Sequence, residues 1–231
     1  MKTLTRWSNT LMERYLPDPY VFVAILTLLV FSLGVLLTDS SPLDMVVHWG
    51  DGFWGLLAFT MQMVIILVAG YVLAISPVFK RLLSTLAGLA KSPGSAILLV
   101  TFVSLIACWI NWGFGLVIGA LFAKEIARKV TTVDYRLLIA SAYSGFIVFH
   151  GGLSGSIPLS IATADHPFAD VMGVVPTSET IFSTYNLIIV IALLITVPLL
   201  NRFMMPKRED TFIIDPKLLE EEVKATENKV Y

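Results

Sequence analysis

Asn111 stands in the run Trp109-Ile110-Asn111-Trp112-Gly113-Phe114-Gly115, midway along a stretch that carries no charge from Ser95 to Ala123. A second uncharged stretch, Leu137 to Ala164, contains His150-Gly151-Gly152-Leu153-Ser154-Gly155-Ser156-Ile157-Pro158. An amide, two hydroxyls and glycine-rich backbone are the groups that bind a carboxylate through N–H and O–H donors, or hold a cation through carbonyl oxygens. Interrupted helices leave such backbone groups free at their ends, and successive N–H groups in a glycine run form an anion-binding nest. We therefore take Asn111, Trp112, Gly113, Gly152, Ser154, Gly155 and Ser156 as the candidate substrate-binding set. The bland readings are an aromatic belt at a membrane boundary for the first run and a plain loop between helices for the second. His150 is the one ionisable side chain inside these stretches, which makes it a candidate for proton coupling. Its bland reading is a neutral, hydrogen-bonded structural residue. Gly115 and Gly119 form a small-xxx-small pair, expected to let two helices pack closely rather than to bind anything.

The elements that would position these residues are membrane helices. The chain has 231 residues, of which 56% are apolar and 14% charged, where soluble domains carry roughly 25% charged residues. Mean hydropathy is +0.81. The uncharged stretches are 20–38, 53–79, 95–123, 137–164 and 181–201, and each is long enough to be a membrane segment. The first is too long for a signal-peptide core and is read as a retained span, started by Asp18 and Pro19. A lone cysteine, Cys108, excludes an internal disulfide. No GxSxG, HExxH, CxxC or Walker pattern is present, and His48 and His166 are too isolated to form a metal site. Neither an enzyme nor a cofactor is expected.

Charge fixes a topology. Connections 39–52 and 165–180 contain no Lys or Arg, whereas the N-terminus, the second and third connections and the tail share all 16. Basic residues remain cytoplasmic, so both termini are expected inside. That requires segment 95–123 to enter and return as a cytoplasmic re-entrant hairpin. As a single helix its 29 residues would reach about 43 Å, beyond the hydrocarbon thickness of about 30 Å. Limbs of a dozen residues would place the tip about 18 Å deep. The expected architecture is an all-α polytopic (multi-pass) membrane protein. It has a membrane domain over 1–201, four spans at about 20–38, 53–79, 137–164 (broken) and 181–201, the hairpin at 95–123, and a cytoplasmic polar tail over 202–231. Pro198 and Pro206 are expected to end the last span, and Asp215-Pro216 to start a short amphipathic helix through Leu218, Leu219 and Val223.

Several of these words together resemble the short-chain fatty acid transporter family, bacterial permeases associated with acetoacetate and butyrate use. They are Leu16-Pro17-Asp18-Pro19, Trp49-Gly50-Asp51-Gly52-Phe53-Trp54 and Ile110-Asn111-Trp112-Gly113-Phe114-Gly115, with Gly151-Gly152-x-Ser154-Gly155-Ser156 and Ile214-Asp215-Pro216-Lys217-Leu218-Leu219. The resemblance implies a secondary carrier of short-chain monocarboxylates in the bacterial inner membrane, built as one repeat of an inverted-repeat, ion-transporter-type fold. It places the substrate carboxylate at the two breaks and its short tail against an apolar wall such as Phe114 or Ile157. It leaves the coupling ion open between proton and sodium. Family members are roughly twice this length and continue into a second membrane half. With every basic residue on one side, two copies of this chain would insert the same way up and not supply an inverted partner. The expectation is a transporter half or subunit completed by another polypeptide, or a truncated remnant. The alternative is a non-transporting membrane partner or regulator.

Overall fold

The computed structural model describes residues 18–219, apart from 165 and 167, together with Trp7, Thr10 and Met12. Among the described residues the regular structure is entirely helical. The chain divides into two compact units, Met1–Gln62 and Met63–Tyr231. Among the described residues, five segments are long and apolar enough to cross a membrane: Pro19–Leu37, Pro42–Ile75, Pro93–Ile110, Tyr135–Ile161 and Thr184–Phe203.

In the first unit, α1 (Pro19–Leu37) starts as its sequence dictates. Asp18 Oδ1 accepts from the Tyr20 N–H at 2.8 Å, with Pro19 in the first turn. None of its residues is buried, so the helix is apolar all round, the surface of a membrane span. The connection read as 39–52 is not a loop. Ser41 and Asp44 form a capping box and Pro42 opens α2 (Pro42–Gly55), a signature present in Ser-Pro-Leu-Asp itself. α2 folds back on α1, where the Met45 side chain lies over Gly34. After the single residue Leu56 comes α3 (Leu57–Ile75). The helix expected at 53–79 is therefore shorter at both ends. Phe53 belongs to α2, and Phe79 to α4 (Pro77–Ala87), because Ser76 is extended and Pro77 starts a new helix.

The second unit is assembled around α5 (Pro93–Ile110). It packs against α6 (Trp112–Lys129), α7 (Tyr135–Ser144), the 3-10 helix Gly145–Gly151 that continues α7, and α9 (Thr184–Phe203). A six-residue α8 (Ser156–Ile161) precedes the connection to α9. α5 and α6 form an antiparallel hairpin, with Gly115 on Cys108 and Gly119 on Ser104. Each limb has 18 residues, hence about 27 Å, longer than the dozen-residue limbs expected. Helical bonding begins at the Ser92–Ser95 capping box and continues through the charged turn Lys124–Lys129. Absence of charge had marked only where the hairpin is apolar, not where it is helical. Ile97, Val100, Phe122, Ile126 and Leu138 are fully buried in the core.

α9 does not stop at Pro198. It runs on to Phe203 with Pro198 buried inside it, since an interior proline removes one backbone donor, a loss that neighbouring helices can absorb in a membrane protein. Three residues beyond it, Asn201 donates through Nδ2 to Thr101 Oγ1 at 3.1 Å and to Ser144 Oγ at 2.8 Å, tying α9 to α5 and α7. The segment after α9 is not a free polar tail up to residue 219. The Phe212 N–H donates to Asp134 Oδ2 at 2.7 Å, the Tyr135 N–H donates to Phe212 O at 2.9 Å, and the Arg136 guanidinium covers the Phe212 ring. Asp215 caps a turn over Pro216–Leu219, Leu219 is buried, and Arg128 donates to its carbonyl. Val223 lies outside the described residues.

Two outcomes test this packing. Asn201→Leu loses both bridging bonds and lowers stability by about 1 kcal/mol, or ~3 °C in Tm, read by thermal unfolding of the purified protein; Asn201→Gln loses less. Gly115→Val places a Cβ 2.5 Å from Cys108 Cα and costs several times as much. Gly50→Ala, whose methyl meets nothing within 4 Å, leaves Tm unchanged or raises it.

Candidate substrate site at two broken segments

The first break is one residue long. Asn111 alone has extended backbone (φ −153°, ψ 121°), ending α5 and starting α6. Its N–H donates to Ala107 O at 2.9 Å, and its Oδ1 accepts from the Phe114 N–H at 3.0 Å. Asparagine is among the best N-cap residues because its short carbonyl reaches back to that donor. The cap commits Oδ1 and leaves the Nδ2 donors for a ligand. Gly113, in the expected binding set, is a close-approach residue. It packs against Ile66 of α3, where a Cβ would come within 3.0 Å.

The second break begins where α7 tightens into the 3-10 helix Gly145–Gly151, continues through non-helical 152–155 and ends at Ser156, the first residue of α8. The non-helical stretch is thus only part of the run His150–Pro158 that interrupts the apolar sequence. Pro158 fits the first turn of α8, where its missing N–H costs nothing. The glycines here are close-approach residues. A Cβ on Gly152 would come within 3.0 Å of the Trp109 carbonyl carbon, and one on Gly155 would lie 2.6 Å from His150 O. The expected anion nest is largely spent internally. The N–H groups of Gly152, Leu153 and Gly155 donate to Phe149 O, Trp109 O and Gly152 O. Those carbonyls compete directly with any anion.

The two breaks are bonded to each other. Leu153 N–H donates to Trp109 O at 2.7 Å, and Trp112 N–H donates to Ser154 Oγ at 2.9 Å. Asn111, Trp112 and Ser154 are thereby brought together, with Gly152 in contact through Trp109 and Gly155 behind Ser154. Ser156 lies two residues farther on and His150 is exposed, its ring against Phe149 at 3.7 Å between centroids. Because Ser154 Oγ accepts from α6, its own proton is free to be donated elsewhere. Trp109 Nε1 is buried without an acceptor.

The two residues expected to offer an apolar wall, Phe114 and Ile157, lie apart from each other's contacts. Phe114 turns to Phe79 of α4, with centroids 5.2 Å apart, and Ile157 is exposed. The ring of Trp112, whose backbone N–H meets Ser154, is flanked by Phe146 at 6.2 Å and Phe149 at 6.0 Å, which stack on each other at 4.8 Å. Tyr143 extends the stack. The spacing Tyr143-x-x-Phe146-x-x-Phe149 was the available signal, since residues three apart eclipse in a 3-10 helix. Asn186 was also missed. From α9 it donates to Gly151 O at 3.0 Å and Ile181 O at 2.8 Å, steadying the second break. Its signal was an amide just inside an apolar run. A cavity of about 560 Å³ lies at the other end of α5, lined by Pro93, Asp134 and Arg208 among others, and touches none of the break residues. Among the described residues no three His, Cys, Asp or Glu side chains gather as a metal site would need.

Comparison with known proteins agrees with the sequence resemblance. No solved structure matches the chain. It is 50% identical over 219 residues to a provisionally named short-chain fatty acid transporter of Escherichia coli, a match covering 95% of this chain and 50% of that protein. A protein of the same provisional name from Haemophilus influenzae is 48% identical over 223 residues, covering 94% of this chain and 50% of the relative. The chain thus spans about half the length of the curated relatives it matches. A family model described as Short chain fatty acid transporter matches residues 1–230, both broken segments included, and the chain belongs to that family.

Proposed function

We propose that this chain takes part in secondary transport (uptake) of short-chain monocarboxylates such as butyrate and acetoacetate across the bacterial inner membrane, binding the carboxylate where the two breaks meet. The observation that carries the reading is the bond from Trp112 N–H to Ser154 Oγ, 42 residues apart in sequence. It fixes a hydroxyl whose oxygen accepts from the backbone and whose proton is left for a ligand, at the residue next in sequence to Asn111 with its uncommitted Nδ2 donors. Hydrogen bonds to a charged acceptor are the strong ones, and at membrane depth they face little competition from water. The rings of Trp112, Phe146 and Phe149 offer a short acyl chain an apolar surface at the same place. A longer chain would have to leave that surface.

The α5–α6 hairpin begins and ends among basic residues, at Lys91 and at Lys124 to Lys129. This supports a hairpin entered from the cytoplasmic side, with both termini cytoplasmic. The complementary half of an inverted-repeat site would come from a second membrane half or subunit. His150, exposed at the break, is the protonatable group placed to couple uptake to a proton gradient.

Uptake of labelled butyrate by cells expressing this chain is the direct test, with membrane insertion confirmed. No uptake above empty vector, alone or with the second half of a relative co-expressed, would refute the proposal. Where uptake is seen, Ser154→Ala removes one donor to a charged acceptor. That is worth about 1.5–3 kcal/mol, so the apparent affinity falls by roughly 10–100-fold, while Ser154→Thr retains most of it. Ser160→Ala, on the exposed side of α8, changes nothing. For coupling, His150→Gln flattens the profile of uptake rate against an imposed proton gradient. An unchanged profile would exclude His150 as the coupling group.

A further inference from the structure

α2 has a surface that no part of the transport reading uses. Asp44, His48, Asp51 and Gly55 recur at spacings of four, three and four, which puts them on one stripe of the helix. The opposite arc carries Leu43, Val46, Val47, Trp49, Phe53 and Trp54, each more than half exposed. Trp49 stacks on Phe53 at 5.5 Å, and Phe53 meets Trp54 edge-on at 5.3 Å, so the aromatic rings form one continuous patch. An apolar arc of this size does not stay in water.

What covers it follows from the two ends of the helix. Four residues, 38–41, separate α2 from α1, and Leu56 alone separates it from α3. Both neighbours are apolar enough to span. Taken together, Pro42–Ile75 has 34 residues and would reach about 51 Å, against a hydrocarbon core of about 30 Å. One part must leave the core, and Leu56 (φ −81°, ψ −4°), where regular α geometry lapses for one residue, divides the two parts. The 19 residues of α3, about 28 Å, suffice to cross. α2 is then held at the level where spans end, with its apolar arc continuous with the lipid-facing surfaces of α1 and the start of α3. Tryptophans and an amphipathic division are the marks of that level. The chain has no Lys or Arg between Arg14 and Lys80, so insertion of apolar side chains, not attraction to anionic headgroups, must hold the helix there.

We propose that α2 is a membrane-surface helix on the basic-free side of the bilayer. It seats the arc from Leu43 to Trp54 in the boundary between headgroups and acyl chains and turns Asp44, His48 and Asp51 to water. Two readouts on the full chain in membranes test this. In a Cys108→Ala background, His48→Cys and Asp51→Cys react with an impermeant maleimide added outside intact cells, while Val46→Cys and Phe53→Cys react at least ten-fold more slowly. Separately, Trp49 and Trp54 are left as the only tryptophans by Trp7→Phe, Trp109→Phe and Trp112→Phe. In reconstituted vesicles their fluorescence is quenched more by lipids brominated near the headgroup than by lipids brominated near the bilayer centre. The second readout keeps the native cysteine, so a failure of Cys108→Ala to fold does not affect it. Equal labelling of both faces would overturn the proposal by placing the arc in water. Slow labelling without bromolipid quenching would overturn it in favour of a protein partner, a second copy included. Labelling confined to the inner side would overturn the assigned side.

Discussion

Lipid gives helices no hydrophobic reason to leave it for one another, so a membrane bundle coheres by close approach and by hydrogen bonds between helices. α5 shows what that demands. Gly115 and Gly119 of α6, Gly145 at the end of α7 and Gly152 in the second break all meet its residues Ser104 to Trp109 with no room for a Cβ. Three of these contacts bring backbone to backbone along nearly two turns of one helix, and Gly119 makes room for the Ser104 side chain. The rest of the second unit hangs on them. The hairpin closes because α6 can lie on α5, and the second break reaches the first because Gly145 and Gly152 let the chain run beside it. Asn201 and Asn186 then supply polar fastening from α9, at positions where a small or apolar residue would have left that helix merely adjacent.

The close approach also explains how broken backbone persists there. An interrupted helix exposes donors and acceptors that hydrocarbon cannot satisfy. Here the breaks satisfy one another, through Trp109 O with Leu153 N–H and Trp112 N–H with Ser154 Oγ, and Asn111 caps both helices that meet at it. The cost is fewer free groups. Much of what the glycine run offers in sequence is already used in the fold, which narrows the ligand-facing chemistry to side-chain donors and a few N–H groups.

Much of this was legible in advance, for identifiable reasons. Helix starts at Asp18-Pro19 and the pairing of Gly115 and Gly119 are local rules, and they hold. The two interruptions were visible because Asn111 and the 151–155 glycines violate the apolar pattern around them. Helix limits were less legible. Hydropathy records where side chains avoid water, whereas α2, α4 and the charged end of α6 are helices partly outside that region. Pro198 was read as a stop because the local rule knows nothing of neighbours that bury it. The destination of each side chain was the least legible. Nothing in the word Trp-Gly-Phe-Gly says that Phe114 turns to Phe79 while Trp112 turns to Phe146, since that depends on pairing between segments far apart in sequence.

Asn111 serves as the last residue of one helix and the cap of the next, and a joint of that kind has no slack. Its tip cannot fold in or out as a loop would, because any change in its backbone angles breaks hydrogen bonds at both helix ends. A displacement of the tip must be carried by α5 and α6 together as one stiff lever. Compliance has to lie on the other side of the contact, in the 3-10 stretch Gly145–Gly151, whose bonds are the poorer ones in this part of the chain. Where the two breaks meet, a stiff element is thus bonded to a more compliant one.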